Sequence, residues 1–317
     1  MNKLKTSFFV QVKTPFFSSF RQPIIAIFIL FFSSCTDSSV DIASIKKLIQ
    51  EGELVQAESQ IQKAIEGDSA NVDLNILYAD LLLKKGEYRA SYFYLCKAHE
   101  ADSINIDVNL KISQFHLFLR QFDNAIQAAN AVLKVDRSNA KAYFLKGMAY
   151  KDFGDTVKAF SNFRTAVEQD DKNYESYVQL GILASAKHDS TAVHYFDNAL
   201  LLKPNEPEVL YNKALFYHQH GAVNKAMKIY LTVPEGSSFY GSARYNIASI
   251  LYHQEDFKHA LQFFDIASKY NSYKAFYMKG LIYERTGKVD SAMINYKQCL
   301  SINPEYKLAQ ERMTLIR

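Results

Sequence analysis

Small residues recur through this chain of 317 residues at a spacing of about 34 positions. When the chain is divided into eight units of this length, one equivalent position holds seven alanines and one serine. These residues are Ala57, Ser91, Ala125, Ala159, Ala192, Ala226, Ala260 and Ala292. A second small-residue position lies seven residues later, which places both on one face of a helix. A period of this length predicts a solenoid, in which each repeated unit packs only on its neighbours.

Each unit is predicted to hold two helices joined by a short turn. Gly154 is suited to end a first helix in the left-handed conformation, and Asp155 is a suitable cap for the second. Gly147 lies mid-helix, where glycine costs about 1 kcal/mol against alanine. We therefore expect it to allow close approach of the second helix, through Ala159. Further glycines repeat the turn and further aromatic residues repeat Phe163, a predicted core position. These are Gly52, Gly86, Gly221 and Gly287, and Phe196, Tyr230, Phe264 and Tyr296.

The unit from Ala140 to Asn173 resembles the tetratricopeptide repeat. The matching residues are Tyr143, Gly147, Tyr150, Gly154, Ala159, Phe163, Ala166 and Asp170, with Pro204 and Pro304 at the closing position of other units. The resemblance implies an all-α, right-handed superhelical solenoid of helix-turn-helix units that binds protein or peptide partners. The expected units are 38–71, 72–105, 106–139, 140–173, 174–206, 207–240, 241–272 and 273–306, followed by a capping helix at 307–317. The first unit lacks the aromatic residues of the pattern.

The first 34 residues are predicted to be an export signal. The apolar run from Pro23 to Phe32 is too short to span a bilayer, which needs about 20 helical residues. Ser33, Ser34 and Cys35 resemble the lipobox of bacterial lipoproteins, which implies that Cys35 carries acyl chains such as palmitate. Residues 35–41 would then form a short tether and 42–317 the solenoid. An ordinary cleaved signal and an uncleaved short anchor remain as alternatives. Thr36, and not aspartate, follows Cys35, which resembles the signal for outer-membrane sorting in some bacteria and implies that membrane.

Charge and motifs argue against several classes of function. Residues 1–34 hold four cations and no acid, which leaves 33 basic and 33 acidic side chains in the rest of the chain. Because these charges cancel, the rest of the chain lacks the excess of basic residues that is typical of nucleic-acid binding proteins. No phosphate-binding glycine loop, HExxH or CxxC occurs, so we expect no enzyme, metal or cofactor. Cys96 and Cys299 are interpreted as buried apolar residues, and His218 and His220 point in different directions on a helix.

The first helices of units six to eight are the candidate partner-binding groove. In the resembling family these helices line a concave surface. The groove candidates are Tyr211, Leu215, His218, Tyr245, Ser249, Tyr252, Tyr277, Leu281, Glu284 and Arg285. Tyr211, Tyr245 and Tyr277 share one equivalent position, and they could be binding anchors, whose loss would leave stability nearly unchanged, or packing residues. Of the carboxylate clamp of chaperone-binding members, only Asn246 and Lys274 fit.

An irregular segment, residues 233–241, separates units six and seven. It is interpreted as a joint, with a hinge or a binding loop as the alternative. The sequence as a whole predicts a lipid-anchored, non-catalytic scaffold of the bacterial envelope for protein or peptide partners. The alternative is an accessory protein whose groove tyrosines stack on glycan or peptidoglycan, or one that assists an envelope enzyme or a secretion or assembly complex.

Overall fold

Helices follow one another along the chain in pairs. The computed structural model describes residues 41–270 and 272–316, and in this part of the chain it contains 17 α-helices and no strand. The helices are α1 Ile42–Glu51, α2 Leu54–Gly67, α3 Val72–Lys85, α4 Tyr88–Ala101, α5 Ile106–Phe118, α6 Phe122–Val135, α7 Ala140–Phe153, α8 Thr156–Gln169, α9 Tyr174–Ala186, α10 Thr191–Leu202, α11 Pro207–Gln219, α12 Val223–Thr232, α13 Tyr240–His253, α14 Phe257–Ser268, α15 Tyr273–Arg285, α16 Val289–Ile302 and α17 Lys307–Leu315. The predicted signal and Cys35 lie outside the described residues.

Asparagines start four of the first helices. The side chains of Asn71, Asn105, Asn139 and Asn173 each accept a hydrogen bond from the backbone N–H three residues later, at 3.0 to 3.2 Å. Each cap satisfies one of the N–H groups that a helix start leaves unpaired. Asp155 does the same for α8, accepting from the Lys158 N–H at 3.0 Å, as predicted.

The turn inside each pair has a left-handed residue. Gly154 has a φ of 98°, and the four other glycines predicted at this turn also have positive φ. In units three, five and seven the equivalent residues are Arg120, His188 and Glu255, with φ values of 57°, 57° and 61°. A residue with a Cβ is less stable there than glycine, by about 1 to 2 kcal/mol. The prediction of a left-handed turn is confirmed, and these three units form it without glycine.

Gly147 allows a close contact with an aromatic ring. A Cβ at Gly147 would lie 2.5 Å from Phe163 Cε1, and Phe163 is fully buried. Gly181 lies in the same way against Phe196, and Gly280 against Tyr296. The predicted close approach is present, but the residue that meets the glycine is the ring and not Ala159. The ring follows Ala159 by one helical turn, which places it over the glycine.

The hydrophobic core extends along the whole series of described helices, because each helix packs on its neighbours in sequence. Every substantial contact between described helices joins helices adjacent in sequence or one apart. The repeated alanine, Ala159 for example, has no exposed surface, and the aromatic residues equivalent to Phe163 are also fully buried. The predicted all-α solenoid is therefore confirmed. Among the described helices, none combines the length and apolar character that a bilayer span requires.

The segment between α12 and α13 is held by Arg244. Its guanidinium is buried, and Nη1 donates to the Tyr230 carbonyl at 2.7 Å while Nη2 donates to that of Leu231 at 3.4 Å. The guanidinium also lies 4.2 Å from the centre of the Tyr240 ring. These carbonyls belong to the last turn of α12, where the helix dipole favours a cation. The joint predicted at 233–241 is thus fastened to the preceding unit, and whether it moves stays a prediction.

Candidate functional site

A polar hollow of about 330 Å³ lies where the first helices of units six, seven and eight meet. Tyr211 comes from α11, Tyr245 and Asn246 from α13, and Lys274 from α15. The rest of the lining is Ser238, Gly241, Ser242, Tyr270 and Ser272. Three successive units thus contribute to one recess, which includes Ser238 of the irregular segment.

Lys274 gives the hollow a positive charge. Its side chain is exposed, and it forms no ion pair with any residue in the described part of the chain. Asn246 is engaged, because its Nδ2 donates to the Tyr211 hydroxyl at 3.3 Å and to the Tyr230 hydroxyl at 3.0 Å. The serine and tyrosine hydroxyls can donate or accept. The Lys274 ammonium lies 6.0 Å from the centre of the Tyr273 ring and has no carboxylate partner among the described residues. An ammonium without an ion pair, beside hydroxyl donors, is suited to a carboxylate or another anion.

The three equivalent tyrosines pack on buried rings of their own units. The ring centres are 5.8 Å apart for Tyr211 and Tyr230, and Tyr245 and Tyr277 make equivalent contacts at 5.5 Å with Phe264 and 5.9 Å with Tyr296. Burial raises the pKa of Tyr245. Aromatic pairs at these distances stabilise a fold by about 0.5 to 1.5 kcal/mol beyond the buried area. Replacement by alanine will therefore cost stability, and the contacts favour the packing interpretation for part of each side chain.

Tyr277 is separate from the hollow. Its ring lies 5.3 Å from that of Tyr306, just before α17. Glu284 is also engaged, because its carboxylate accepts from the Tyr296 hydroxyl at 2.7 Å and from Arg312 Nη1 at 3.3 Å. These contacts join α15, α16 and α17. Glu284 is thus tied into the end of the solenoid, which the sequence could not indicate.

The remaining groove candidates line no part of the hollow. The Arg285 guanidinium lies over the rings of Tyr252 and Phe257, at 5.7 and 5.6 Å, and links units seven and eight. His218 lies 6.3 Å from the Tyr230 ring, and burial, with His253 nearby, lowers its pKa. Leu281 packs near Tyr296, and Leu215 and Ser249 are half-buried. Of the ten candidates, Tyr211 and Tyr245 therefore line the hollow, and the other eight lie outside it.

The two described cysteines differ. Cys299 is fully buried, as predicted, and burial raises the pKa of its thiol to about 11. Cys96 is only half-buried and lines a cavity, so the prediction that it is a core residue is wrong. Ala128 and Ala131 of α6 line the same cavity, and their small side chains do not cover Cys96. Within residues 41–270 and 272–316, no three His, Cys, Asp or Glu side chains are placed to hold a metal ion.

Two segments of the chain match models of the family described as tetratricopeptide repeat. One match covers residues 111–174 and the other residues 273–306. The second segment includes α15 and α16, and therefore Lys274 of the hollow. Both segments thus carry repeats of this kind.

Curated relatives match parts of the chain. A TPR repeat-containing protein of Methanocaldococcus jannaschii is 22% identical over 204 residues, which are 59% of this chain and 35% of the relative. A photosystem I assembly protein of Rippkaea orientalis is 30% identical over 102 residues, which are 29% of this chain and 59% of the relative. The matched segments thus span about a third and three fifths of these relatives.

A solved structure has a similar fold. The C-terminal part of a TPR repeat-containing protein from Cytophaga hutchinsonii superposes with a TM-score of 0.61 and is 17% identical. The match covers 74% of this chain and 97% of that one. At this identity the likeness concerns the fold alone.

Proposed function

This chain carries tetratricopeptide repeats, and we propose from this premise that it is a non-catalytic scaffold of the bacterial cell envelope, anchored by a lipid on Cys35. Repeats of this kind generally mediate binding between proteins. The hollow formed by Tyr211, Tyr245 and Lys274 is the observation on which the proposed binding surface rests. It combines contributions from three successive units with aromatic side chains that have polar tips, a combination common at binding hot spots.

The charge of the hollow determines the proposed partner. Lys274 is the cation of the recess, and no acidic side chain lines it among the described residues. An acidic side chain or a terminal carboxylate of a peptide would pair with the ammonium and accept from neighbouring hydroxyls. The rings of Tyr211 and Tyr245 would contact the apolar part of the same segment. The partner is therefore proposed to be a protein that presents a carboxylate-bearing peptide segment.

Reversal of the charge at Lys274 is expected to weaken capture of this partner. Affinity purification of the anchored protein from its own membranes would supply the partner, and titration would then give the dissociation constant. Lys274→Glu should raise this constant by at least about tenfold, which corresponds to about 1.4 kcal/mol. Because Lys274 is exposed and without an ion pair, thermal stability should be unchanged.

Lys228→Glu is the matched control for this experiment. Lys228 is exposed on α12, outside the hollow, and the substitution makes the same change in net charge. An equal loss of affinity in both variants would mean that only overall charge matters. Unchanged affinity in Lys274→Glu would mean that the partner binds elsewhere. Tyr245→Phe keeps the packing on Phe264 and removes only the hydroxyl, so it tests the tyrosine without the stability loss expected of alanine.

The anchor is a separate part of the proposal and has its own test. Cys35→Ser should leave the protein unprocessed or soluble, because acyl chains supply about 0.8 kcal/mol of membrane affinity per buried CH₂. Labelling with a palmitate analogue and fractionation of the membranes would measure both effects. Cys96→Ser should behave like the native chain. A Cys35→Ser protein that is cleaved normally and still bound to membranes would contradict lipidation.

Similarity to a relative bears on the kind of partner. The protein of Rippkaea orientalis is named an assembly protein, and it is 30% identical to this chain over 102 residues. An assembly role would require a scaffold to hold a subunit and then release it, which suits a shallow site with one ion pair. We therefore include assistance to an assembling envelope complex within the proposed function. A subunit recovered with the native chain and absent with Lys274→Glu would support it.

A further inference from the structure

The turns inside units two, three and four carry exposed apolar side chains. Consecutive helices pack on each other and are joined by short turns, so they run in alternating directions, and the turns inside the units lie along one edge of the solenoid. The exposed residues there, which we call the apolar edge, are Leu83, Tyr88, Phe118, Leu119, Phe153 and Val157. Rings connect the three units, because Tyr88 lies 5.1 Å from Phe118 and Phe122 lies 6.4 Å from Phe153.

The repeat fold does not require apolar residues at these positions. Phe118, Phe153 and Val157 are 62%, 67% and 70% exposed. In units six to eight the residues equivalent to these three are Gln219, His253 and Arg285, then His220, Gln254 and Thr286, then Asn224, Lys258 and Asp290. The turns inside units five to seven expose no large apolar side chain among their described residues. The apolar edge is therefore confined to the N-terminal half, and contiguous exposed apolar surface of this kind marks contact with a protein or a membrane.

Charge distinguishes the two edges of these units. Within three residues of the turns inside units two to four lie six basic and four acidic residues, whereas within three residues of the turns that follow these units lie four basic and eight acidic residues. The six basic residues are Lys84, Lys85, Arg89, Arg120, Lys151 and Lys158. Apolar tips among cations are typical of surfaces that bind anionic lipid, and such a surface would repel the acidic edge.

A protein partner is the competing occupant. A groove of about 300 Å³ lies beside the rings of Tyr88 and Phe118, and it would accept an apolar side chain of a protein. This groove belongs to units two and three and does not include Phe153 or Val157. A bilayer surface is extended and fluid, so it can contact the turns of all three units together. The extent of the apolar edge and its charge therefore favour the bilayer.

The chain length between the anchor and the solenoid allows this contact. This step rests on the proposed lipidation of Cys35. Six residues separate Cys35 from Ile42, where α1 begins, so they span at most about 25 Å. Helix α1 has 10 residues and is about 15 Å long, and it begins at the acidic edge and ends at the edge that is apolar in units two to four. The anchor can thus reach a membrane on which the apolar edge lies.

We propose that the apolar edge inserts into the surface of an anionic bilayer and holds units two to four against it. Phe118, Phe153 and Val157 enter the boundary between headgroups and acyl chains, and the neighbouring basic residues contact lipid phosphates. The acidic edge faces away from the membrane. The lipid on Cys35 fixes one end of the protein, and the apolar edge fixes its orientation.

Tryptophan reporters on the two edges test this orientation. The native chain has no tryptophan, so a single introduced one reports its own surroundings. Val157→Trp lies on the apolar edge, and Ile104→Trp lies on the acidic edge at a residue that is also exposed. The anchored full chain is reconstituted into vesicles of phosphatidylcholine and phosphatidylglycerol in equal parts, with brominated acyl chains as the quencher. Val157→Trp should lose most of its fluorescence and Ile104→Trp should keep it. Equal quenching of both reporters, or none of Val157→Trp, would overturn the proposal.

A double variant shows whether the apolar side chains cause the contact. Phe118→Asp combined with Phe153→Lys keeps the net charge, and units four and two already hold Asp152 and Lys85 at these positions. It should abolish the quenching of Val157→Trp without lowering Tm. The matched control combines Ile104→Asp with Leu201→Lys, which are exposed near turns of the acidic edge, and it should leave the quenching unchanged. Quenching that persists in the first double variant would contradict the proposal.

Flotation with the vesicles separates failure of the anchor from failure of the apolar edge. A lipidated chain that floats while Val157→Trp stays unquenched keeps the anchor and overturns the apolar edge. A chain that carries no lipid contradicts the anchor, and quenching of Val157→Trp at high vesicle concentration then tests the apolar edge by itself. Fluorescence of Val157→Trp that responds to a purified partner protein and not to vesicles would assign this edge to protein binding, and the proposal would be wrong.

Discussion

Phe163→Ala should destabilise the solenoid by about 3 to 5 kcal/mol, the range typical of a buried phenylalanine. The ring is fully buried in unit four and lies against the backbone of Gly147. Removing it leaves a cavity that the two facing helices can close only partly. Chemical denaturation followed by circular dichroism would measure the loss. Because units contact only their neighbours, hydrogen exchange should increase first in units three to five.

The contact between Gly147 and the Phe163 ring predicts that Gly147→Ala destabilises the native chain but stabilises the Phe163→Ala variant. In the native chain a Cβ would lie 2.5 Å from the ring, and overpacking of this kind costs about 1 to 3 kcal/mol. In Phe163→Ala the ring is absent, and alanine should then stabilise the helix by about 1 kcal/mol over glycine. The equivalent Ala248→Gly in unit seven, where the chain already has alanine, should only destabilise. An effect of Gly147→Ala that is equal in both backgrounds would contradict the contact.

Arg244→Met should cost about 2 to 4 kcal/mol of folding free energy. The guanidinium donates to the carbonyls of Tyr230 and Leu231, and hydrogen bonds to a charged group contribute about 1.5 to 3 kcal/mol. The contact with the Tyr240 ring adds to this. Methionine fills similar volume but cannot donate these hydrogen bonds, so the Leu231 carbonyl loses its side-chain donor and the Tyr230 carbonyl keeps only the Val233 N–H at 3.2 Å. Thermal and urea unfolding would measure the change.

Arg285→Met is the control for Arg244. The Arg285 side chain is 52% exposed, and it lies 4.0 Å from Glu255 in a solvent-exposed ion pair. Pairs of this kind contribute at most about 1 kcal/mol. If Arg244→Met has the same free energy of unfolding as Arg285→Met, then Arg244 does not hold the segment 233–241 in place. Increased hydrogen exchange in α13 would show where the loss occurs.

Features that depend on the repeat period could be predicted from the sequence. The turn at Gly154, the buried Ala159 and the core position of Phe163 recur at fixed spacing, so each unit supports the interpretation of the others. One such signal was missed. Asparagine recurs every 34 residues from Asn71 to Asn173, and these residues cap the first helices. The spacing would have marked the helix starts.

Contacts between particular side chains could not be predicted in this way. Glu284 has the position of a groove residue, but its partner Arg312 lies 28 residues later, on the terminal helix. The direction of the Phe163 ring toward Gly147 depends on its rotamer. The hollow requires three units to be placed correctly around Lys274. The repeat period determines which residues face inward. The partner of each side chain depends instead on its rotamer and on the placement of the helices around it, which cannot be read from the spacing of residues.

The contacts between neighbouring helices also have a kinetic consequence. Since every substantial contact joins described helices that are adjacent or one apart in sequence, no unit has to wait for a distant part of the chain. Chains rich in local contacts fold quickly, because little loop-closure entropy is lost before contacts form. Units near the N-terminus can pack while later units are still being synthesised. A ribosome-bound chain in which α7, α8 and α9 have left the exit tunnel should therefore already protect Phe163 from exchange and proteolysis, because Phe163 packs on Leu180 and Leu183 of α9.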